Sequence, residues 1–158
     1  MTDARFEDGE DQPLRLVAQD GESLAVLAAL VQDAVFPASE MAYARKRRRF
    51  ALMLNRFRWE DLAGAERSGR RVERVQALVV FEDVLKVQSQ GFDHRDKELV
   101  MSLLDIAFIP GVDGTGRVVL TLAGDGEVAL DVESLDVTLR DVTRPYLAPS
   151  GKVPRHPD

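Results

Sequence analysis

The sequence contains no cysteine and only two histidines, His94 and His156. Without cysteine the chain has no disulfide framework, no thiolate metal ligands and no cysteine nucleophile. The one histidine in the patterned part of the chain, His94, supplies too few nitrogen ligands for the common zinc sites. We therefore expect no metal and no cofactor, and we assign no catalytic residue.

Long apolar runs are also missing. The longest, Leu24 to Val31, is far shorter than the roughly 20 residues that a membrane-spanning helix needs. The first residues, MTDARFEDGEDQP, are acidic and lack the apolar stretch of a secretory signal peptide. These absences predict a soluble cytoplasmic protein with no membrane-embedded part.

Composition divides the 158 residues into a body and two ends. Residues 1–12 are acidic and almost free of apolar anchors, which predicts disorder. The segment 145–158 holds four of the seven prolines and predicts an extended tail. No linker interrupts residues 13–144, which predict a single domain.

One helix is expected near the start of the body. Asp20 is suited to cap its N-terminus, and the apolar pattern runs from Leu24 to Ala34. One apolar face consists of Leu24, Leu27, Ala28 and Val31, and the opposite one of Ala25, Val26, Ala29 and Leu30. A helix that is apolar nearly all round is usually buried. Either the sheet wraps this helix, or its second face, Ala25 to Leu30, meets another subunit.

The rest of the body predicts strands. The candidates are Leu14 to Ala18, Met41 to Ala44, Phe50 to Trp59, Val72 to Phe81, Val84 to Ser89, Arg117 to Leu122, Glu127 to Val132 and Leu135 to Arg140. Leu99 to Ile109 is ambiguous, because its first half fits a helix while Leu104, Ile106 and Phe108 alternate. The pattern predicts an α+β fold: a mostly antiparallel, strongly curved sheet or half-barrel packed around the one N-terminal helix.

Three segments resemble a bacterial protein family known as domain of unknown function 2948. They read LRLVAQDGESLAVLAALVQDAV near the start, RRFALMLNRFRWE in the middle and LDVTLRDV near the end. The resemblance covers Leu14 to about Val142, and the middle segment is its most specific part. It implies no established activity, cofactor or catalytic residue.

Positive charge is concentrated in one part of an acidic chain. Ala42 to Gln76 contains eleven Arg or Lys and four Asp or Glu, a net of +7, whereas the whole chain carries −6 and the remainder therefore −13. Five of these cations are consecutive: Arg45, Lys46, Arg47, Arg48 and Arg49. A basic hairpin tip of this kind could bind phosphates of single-stranded nucleic acid, or it could be a solvated turn that keeps strand edges from aggregating.

Arg56 and Arg58 follow in the next strand candidate. Both could join the basic tip in holding an anionic ligand by bidentate contacts. Alternatively, they pair with Glu60, Asp61 or a distant carboxylate where the strand leaves the core, which the change from apolar to charged residues favours.

Asp105 lies inside the apolar run Met101 to Ile109. If it faces the core it must be paired or hydrogen-bonded, and it would then mark a buried polar site. If the strand has one solvated face, Asp105 points to water.

Three classes of function remain open. The favoured one is a non-enzymatic binding or scaffold domain with an unidentified protein partner or a second copy of itself, a homodimer through Ala25, Val26, Ala29 and Leu30. The second is nucleic-acid or other polyanion binding through residues 45–49 with Arg56 and Arg58. The third is an enzyme or carrier of a small anionic ligand, with a pocket near Asp105, Arg56 and Arg58.

Overall fold

A computed structural model describes residues 13–69, 71–93 and 95–142. The expected disordered start, 1–12, and proline-rich tail, 145–158, lie outside the described residues, as do His94 and His156.

Ten strands make up most of the described chain and confirm the mostly antiparallel fold. They are β1 (Arg15–Ala18), β2 (Val35–Pro37), β3 (Met41–Ala44), β4 (Arg49–Phe57), β5 (Arg74–Phe81), β6 (Val84–Gln90), β7 (Val100–Pro110), β8 (Gly116–Leu122), β9 (Gly126–Val132) and β10 (Val137–Asp141). Leu99 to Ile109, which the sequence left ambiguous, is strand almost throughout. The short β2 was not predicted, because three residues carry too little alternation to be recognised.

Two helices are described, so the expectation of a single one is wrong. The first, α1 (Gly21–Leu30), begins as predicted: the Oδ1 of Asp20 accepts the backbone N–H of Ser23 at 2.8 Å, and the Ser23 hydroxyl accepts that of Asp20 at 3.3 Å. It ends earlier than Ala34, because Asp33 has a positive φ of 65° and the chain then enters β2. The second, α2 (Leu62–Ser68), follows a 3₁₀ turn at Trp59–Asp61.

The strands form one open sheet. Its order is β1-β10-β5-β4-β2-β7-β8-β9-β6, with β3 paired to β4 beside this path. The strand β4 is central, with β5 on one side and β2 and β3 on the other. Since β1 and β6 do not pair with each other, the sheet is not closed into a barrel.

The buried apolar side chains form one cluster, to which both parts of the sheet and α1 contribute. From α1 come Leu24, Leu27 and Ala28. Most of its second face is not covered by the described chain: Ala25, Val26 and Ala29 are exposed, so the alternative in which the sheet wraps the whole helix is wrong. No described helix has both the length and the apolar character needed to span a membrane.

Candidate functional site

The basic run forms the turn between β3 and β4. Arg45–Arg47 make one 3₁₀ turn, and Arg48 then takes a positive φ of 53° that reverses the chain. Arg48 pairs with Glu133 (Nη1 to Oε1, 3.2 Å) and Arg49 with Glu82 (Nε to Oε2, 3.1 Å). Within the described ranges, the exposed Arg45, Lys46 and Arg47 have no ion pair. The free positive charge of the turn is therefore three cations and not five.

Arg56 lies fully buried on the core side of β4, where no ligand on the surface can reach it. Its Nε and Nη2 donate to the two carboxylate oxygens of Asp141, each at 3.0 Å. Its Nη1 and Nη2 donate to the two oxygens of Glu60 at 2.9 and 2.8 Å, and Nη1 also donates to the carbonyl of Phe57 at 3.0 Å. All five N–H groups of the guanidinium are thus occupied. The expectation that Arg56 binds a polyanion is wrong, and the alternative of pairing with Glu60 and a distant carboxylate is confirmed.

The pKa values of this cluster follow from its geometry. Burial alone would lower the pKa of the Arg56 guanidinium, but the hydrogen bonds from it to Glu60 and Asp141 raise that pKa above its ordinary value. For the carboxyl group of Glu60 the direction is opposite: partial burial would raise its pKa, but the hydrogen bonds and charge of Arg56 hold that pKa below its ordinary value. Arg56 and Glu60 are therefore held in their charged forms.

Arg58 is buried as well. It bonds to Glu73, and its Nη1 lies 3.7 Å from a carboxylate oxygen of Asp61. Arg74 stacks over the ring of Phe57, with its guanidinium carbon 4.6 Å from the ring centroid. Arg58 is therefore also unsuited to an exposed polyanion site, and these arginines stabilise the end of the sheet.

This charged cluster also holds the end of α1. The Nη1 of Arg56 lies 3.5 Å from the carbonyl oxygen of Leu30, the last residue of the helix. The indole N–H of Trp59 donates to the carbonyl of Gln32 at 2.9 Å. Together these contacts fix the helix end, which lacks a basic residue of its own in the last turn.

Asp105 is exposed, so the hypothesis of a buried polar site there is wrong. The pairing between β7 and β8 goes from Leu103–Leu122 directly to Asp105–Thr121, which leaves Leu104 as the extra residue of a β-bulge. Before the bulge Leu103 faces the core, and after it Ile106 does. The bulge thus turns Asp105 outward.

Beyond the bulge, one edge of β7 has no partner strand among the residues that the structure describes. The strand β2 pairs with β7 only at Val100–Ser102, and two further backbone bonds tie Leu103 to Asp33 and Ala34. At the other end of β7, the N–H of Gly111 donates to the carbonyl of Thr115 at 2.7 Å. In an antiparallel strand the backbone groups of alternate residues point to opposite neighbours. Residues 105, 107 and 109 alternate in step with Gly111, so their backbone groups bond to β8.

The alternate residues, Ile106 and Phe108, direct their backbone N–H and C=O groups away from β8. No described strand pairs with them on that side. The buried positions change from odd numbers (Met101, Leu103) to even (Ile106), as the bulge requires, and this change is visible only in the structure.

A groove lies between this free edge and α1. Its volume is about 460 Å³. It is lined by Gly21, Leu24, Ala25, Ala28, Ala29 and Gln32 from the helix side and by Leu104, Asp105, Ile106, Ala107 and Phe108 from β7. The small side chains of the helix leave the space beside the strand open. We call this space the α1–β7 groove.

The four residues expected to mediate self-association do not share one environment in the structure. Ala25 and Ala29 line the α1–β7 groove, whereas Val26 and Leu30 do not. Val26 is 54% exposed, and Leu30 is half-buried against the core. Self-association through this face stays a prediction.

The residues of the expected anionic-ligand pocket are not brought together. Asp105 lines the groove, but Arg56 and Arg58 do not. Within the residues that the structure describes, no three His, Asp or Glu side chains are grouped so that they could hold a metal ion.

Comparison with known families gives one match. The model of a family described as protein of unknown function (DUF2948) matches residues 14–156. The chain belongs to this family. The resemblance seen in the sequence is therefore confirmed, and the DUF2948 match extends past Val142, where we placed its end. Among solved structures, none matches the chain.

Proposed function

We propose that this DUF2948 domain is a non-enzymatic binding domain that takes up an extended peptide segment of a partner protein. The segment adds to the sheet as a strand beside β7, in the α1–β7 groove. The free edge at Ile106 and Phe108, next to an apolar groove, is the observation that carries the proposal. Strand addition uses backbone hydrogen bonds for affinity and side-chain contacts for specificity.

The other free edges of the described sheet are poorly suited to this role. The strands β1 and β3 have four residues each, and neither of them lines the α1–β7 groove. The edge strand β6 is interrupted by a bulge between Val84 and Lys86 and carries the charge of Lys86. Bulges and lysines are common protections of sheet edges. The free edge of β7 is protected by the helix α1, but the small residues on the side of α1 that faces β7 leave room for a peptide.

The expected affinity is modest. The two residues with free backbone groups, Ile106 and Phe108, offer four hydrogen-bonding positions. At about 1 kcal/mol net for each bond, these would correspond to a dissociation constant of about 1 mM. Side-chain burial against Leu24, Ala25 and Ala28 must supply the rest, so a short peptide should bind between the micromolar and millimolar ranges.

A neutral peptide tests the proposal. We would titrate the full chain with the acetylated and amidated peptide Val-Thr-Val-Thr-Val and follow binding by calorimetry. The same peptide methylated on alternate backbone nitrogens cannot donate to the strand edge, and we expect no measurable binding from it. Equal binding of the two peptides would contradict strand addition.

Two variants on the same helix locate the site. Ala25→Trp should fill the α1–β7 groove and abolish binding of the neutral peptide, whereas Val26→Trp, on an exposed position outside the groove, should leave it unchanged. If Val26→Trp weakened binding as much as Ala25→Trp, the peptide would occupy another part of the surface.

A further inference from the structure

The charge of the α1–β7 groove comes from one side chain. Among the described residues that line it, Asp105 is the only charged one. Its carboxylate is exposed and has no ion pair with any described residue. Two more exposed carboxylates flank the helix, Glu22 in its first turn and Asp33 after its end.

We infer that the peptide taken up by this groove is cationic, with a Lys or Arg placed beside Asp105. The inference rests on the strand addition proposed above and names the chemistry of the partner. A groove with a single unpaired carboxylate and no lining cation attracts a positive residue and repels a negative one.

The pleat of β7 determines where that positive residue stands. Beyond the bulge Asp105, Ala107 and Ile109 share the outer face of the strand, and Ile109 is 56% exposed. Side chains of an added strand that point outward would lie beside these three. A cation beside Asp105 is a favourable cross-strand pair, and an apolar residue fits beside Ala107 or Ile109.

The inward side chains of the peptide meet a different surface. They would face the helix side of the groove, where Leu24 and Ala28 are buried and Ala25 is small. Such a surface accepts apolar side chains and disfavours charged ones, which would lose their hydration there. The ligand pattern is therefore alternating: apolar inward, and a cation outward at the position of Asp105.

The test compares three peptides of one length on the full chain at low salt. They are the acetylated and amidated Val-Lys-Val-Lys-Val, Val-Thr-Val-Thr-Val and Val-Glu-Val-Glu-Val. We expect the lysine peptide to bind about fivefold more tightly than the threonine peptide, and the glutamate peptide to bind least. In Asp105→Asn this preference should fall to the smaller part that the flanking carboxylates Glu22 and Asp33 supply, while binding of the threonine peptide stays the same.

A matched control removes a charge elsewhere. Asp113→Asn eliminates an exposed carboxylate at the turn after β7, outside the groove, and should keep the preference for lysine. If the threonine peptide bound and the lysine peptide gained nothing, or if Asp113→Asn acted like Asp105→Asn, the inference of a cationic ligand would be overturned and strand addition would stand. If no peptide bound, both would be overturned.

Discussion

At the scale of single residues, Arg56 of β4 shows that a positive charge can stabilise the fold without being available to a ligand. Arg56 makes two bidentate carboxylate contacts in the core, one with Asp141 across the sheet and one with Glu60 after the strand. Asp141 is satisfied as well, since its Oδ2 also accepts the backbone N–H of Leu14 at 2.9 Å. A buried charge pair is costly to break, because the partner that remains is left desolvated.

Asp141→Asn tests this role. The substitution keeps the size of the side chain but leaves Arg56 with one carboxylate, so we expect the free energy of unfolding to fall by about 3 kcal/mol. Denaturant-induced unfolding measures it. The control is Asp131→Asn, which removes the exposed pair with Arg117 (2.8 Å) and should cost less than about 1 kcal/mol. Equal losses in the two variants would contradict a structural role for the buried pair.

The lowered pKa of Glu60 predicts that the stability of the fold depends on pH. Its pKa is lower in the folded protein than its ordinary value of 4.5, so at acidic pH the unfolded chain binds more protons than the folded one. The stabilisation is complete above about pH 4.5 and is lost as the pH falls through the folded pKa. The free energy of unfolding, measured from pH 6 to pH 2, should decline less steeply below about pH 4.5 in Glu60→Gln. An unchanged slope would show that Glu60 is not held in its charged form.

Sequence and structure agree best where a property is local. The cap at Asp20 depends on neighbours three residues away and was predictable. The pair of Arg56 and Asp141 joins residues 85 positions apart through the order β4-β5-β10, so the sequence could indicate only that Arg56 needs a carboxylate. The orientation of Asp105 required the bulge at Leu104, which simple alternation does not include.

At the scale of elements, strands were predicted better than helices. The strands alternate over seven or more residues in most cases, which makes their pattern clear. The helix α2 has seven residues, of which Ala65 is buried, and so short a segment shows no amphipathic period. Trp59, the first residue of the 3₁₀ turn before it, continues the alternation of Phe57, so the sequence predicts a strand that extends to Trp59.

The basic turn is the element on which polyanion binding depends. Among the seven residues first considered, Arg56 and Arg58 are buried and Arg48 and Arg49 form exposed ion pairs, so Arg45, Lys46 and Arg47 are the cations that can meet phosphates without breaking a described ion pair. Three phosphate contacts on single-stranded nucleic acid correspond to a slope of log K against log salt of about −2, whereas seven would give about −5.

Fluorescence anisotropy of a labelled single-stranded RNA, measured from low to physiological salt, provides this slope. We expect a slope near −2. It should become less negative in Arg47→Glu and stay the same in Lys86→Glu, whose cation lies on β6 outside the turn. A slope near −5 would contradict the structural assignment of Arg56 and Arg58.

At the scale of the whole molecule, the open sheet and the helix α1 belong together. The sheet begins at β1 and ends at β6, and α1 contacts both β1 and β7. Because β2 is so short, β7 continues beyond it without a neighbouring strand on that side in the described part of the chain, and the helix lies along the resulting gap. The α1–β7 groove is thus a consequence of strand lengths and connections, which composition and local pattern do not reveal.

The distribution of charge fits this arrangement. Of the eleven cations of Ala42 to Gln76, five form the basic run 45–49 and two, Arg56 and Arg58, are buried beside carboxylates, while the remainder of the chain carries a net −13. An acidic surface increases the rate at which cationic partners are encountered, and the effect weakens with salt.

Hydrogen exchange at the free strand edge tests strand addition at β7 most closely. We would record amide exchange by NMR for the full chain, alone and saturated with the acetylated and amidated Val-Thr-Val-Thr-Val. We expect the amides of Ile106 and Phe108 to become protected on binding, while that of Ala107, already bonded to β8, changes little. Binding of the peptide without protection of Ile106 and Phe108 would contradict strand addition at β7.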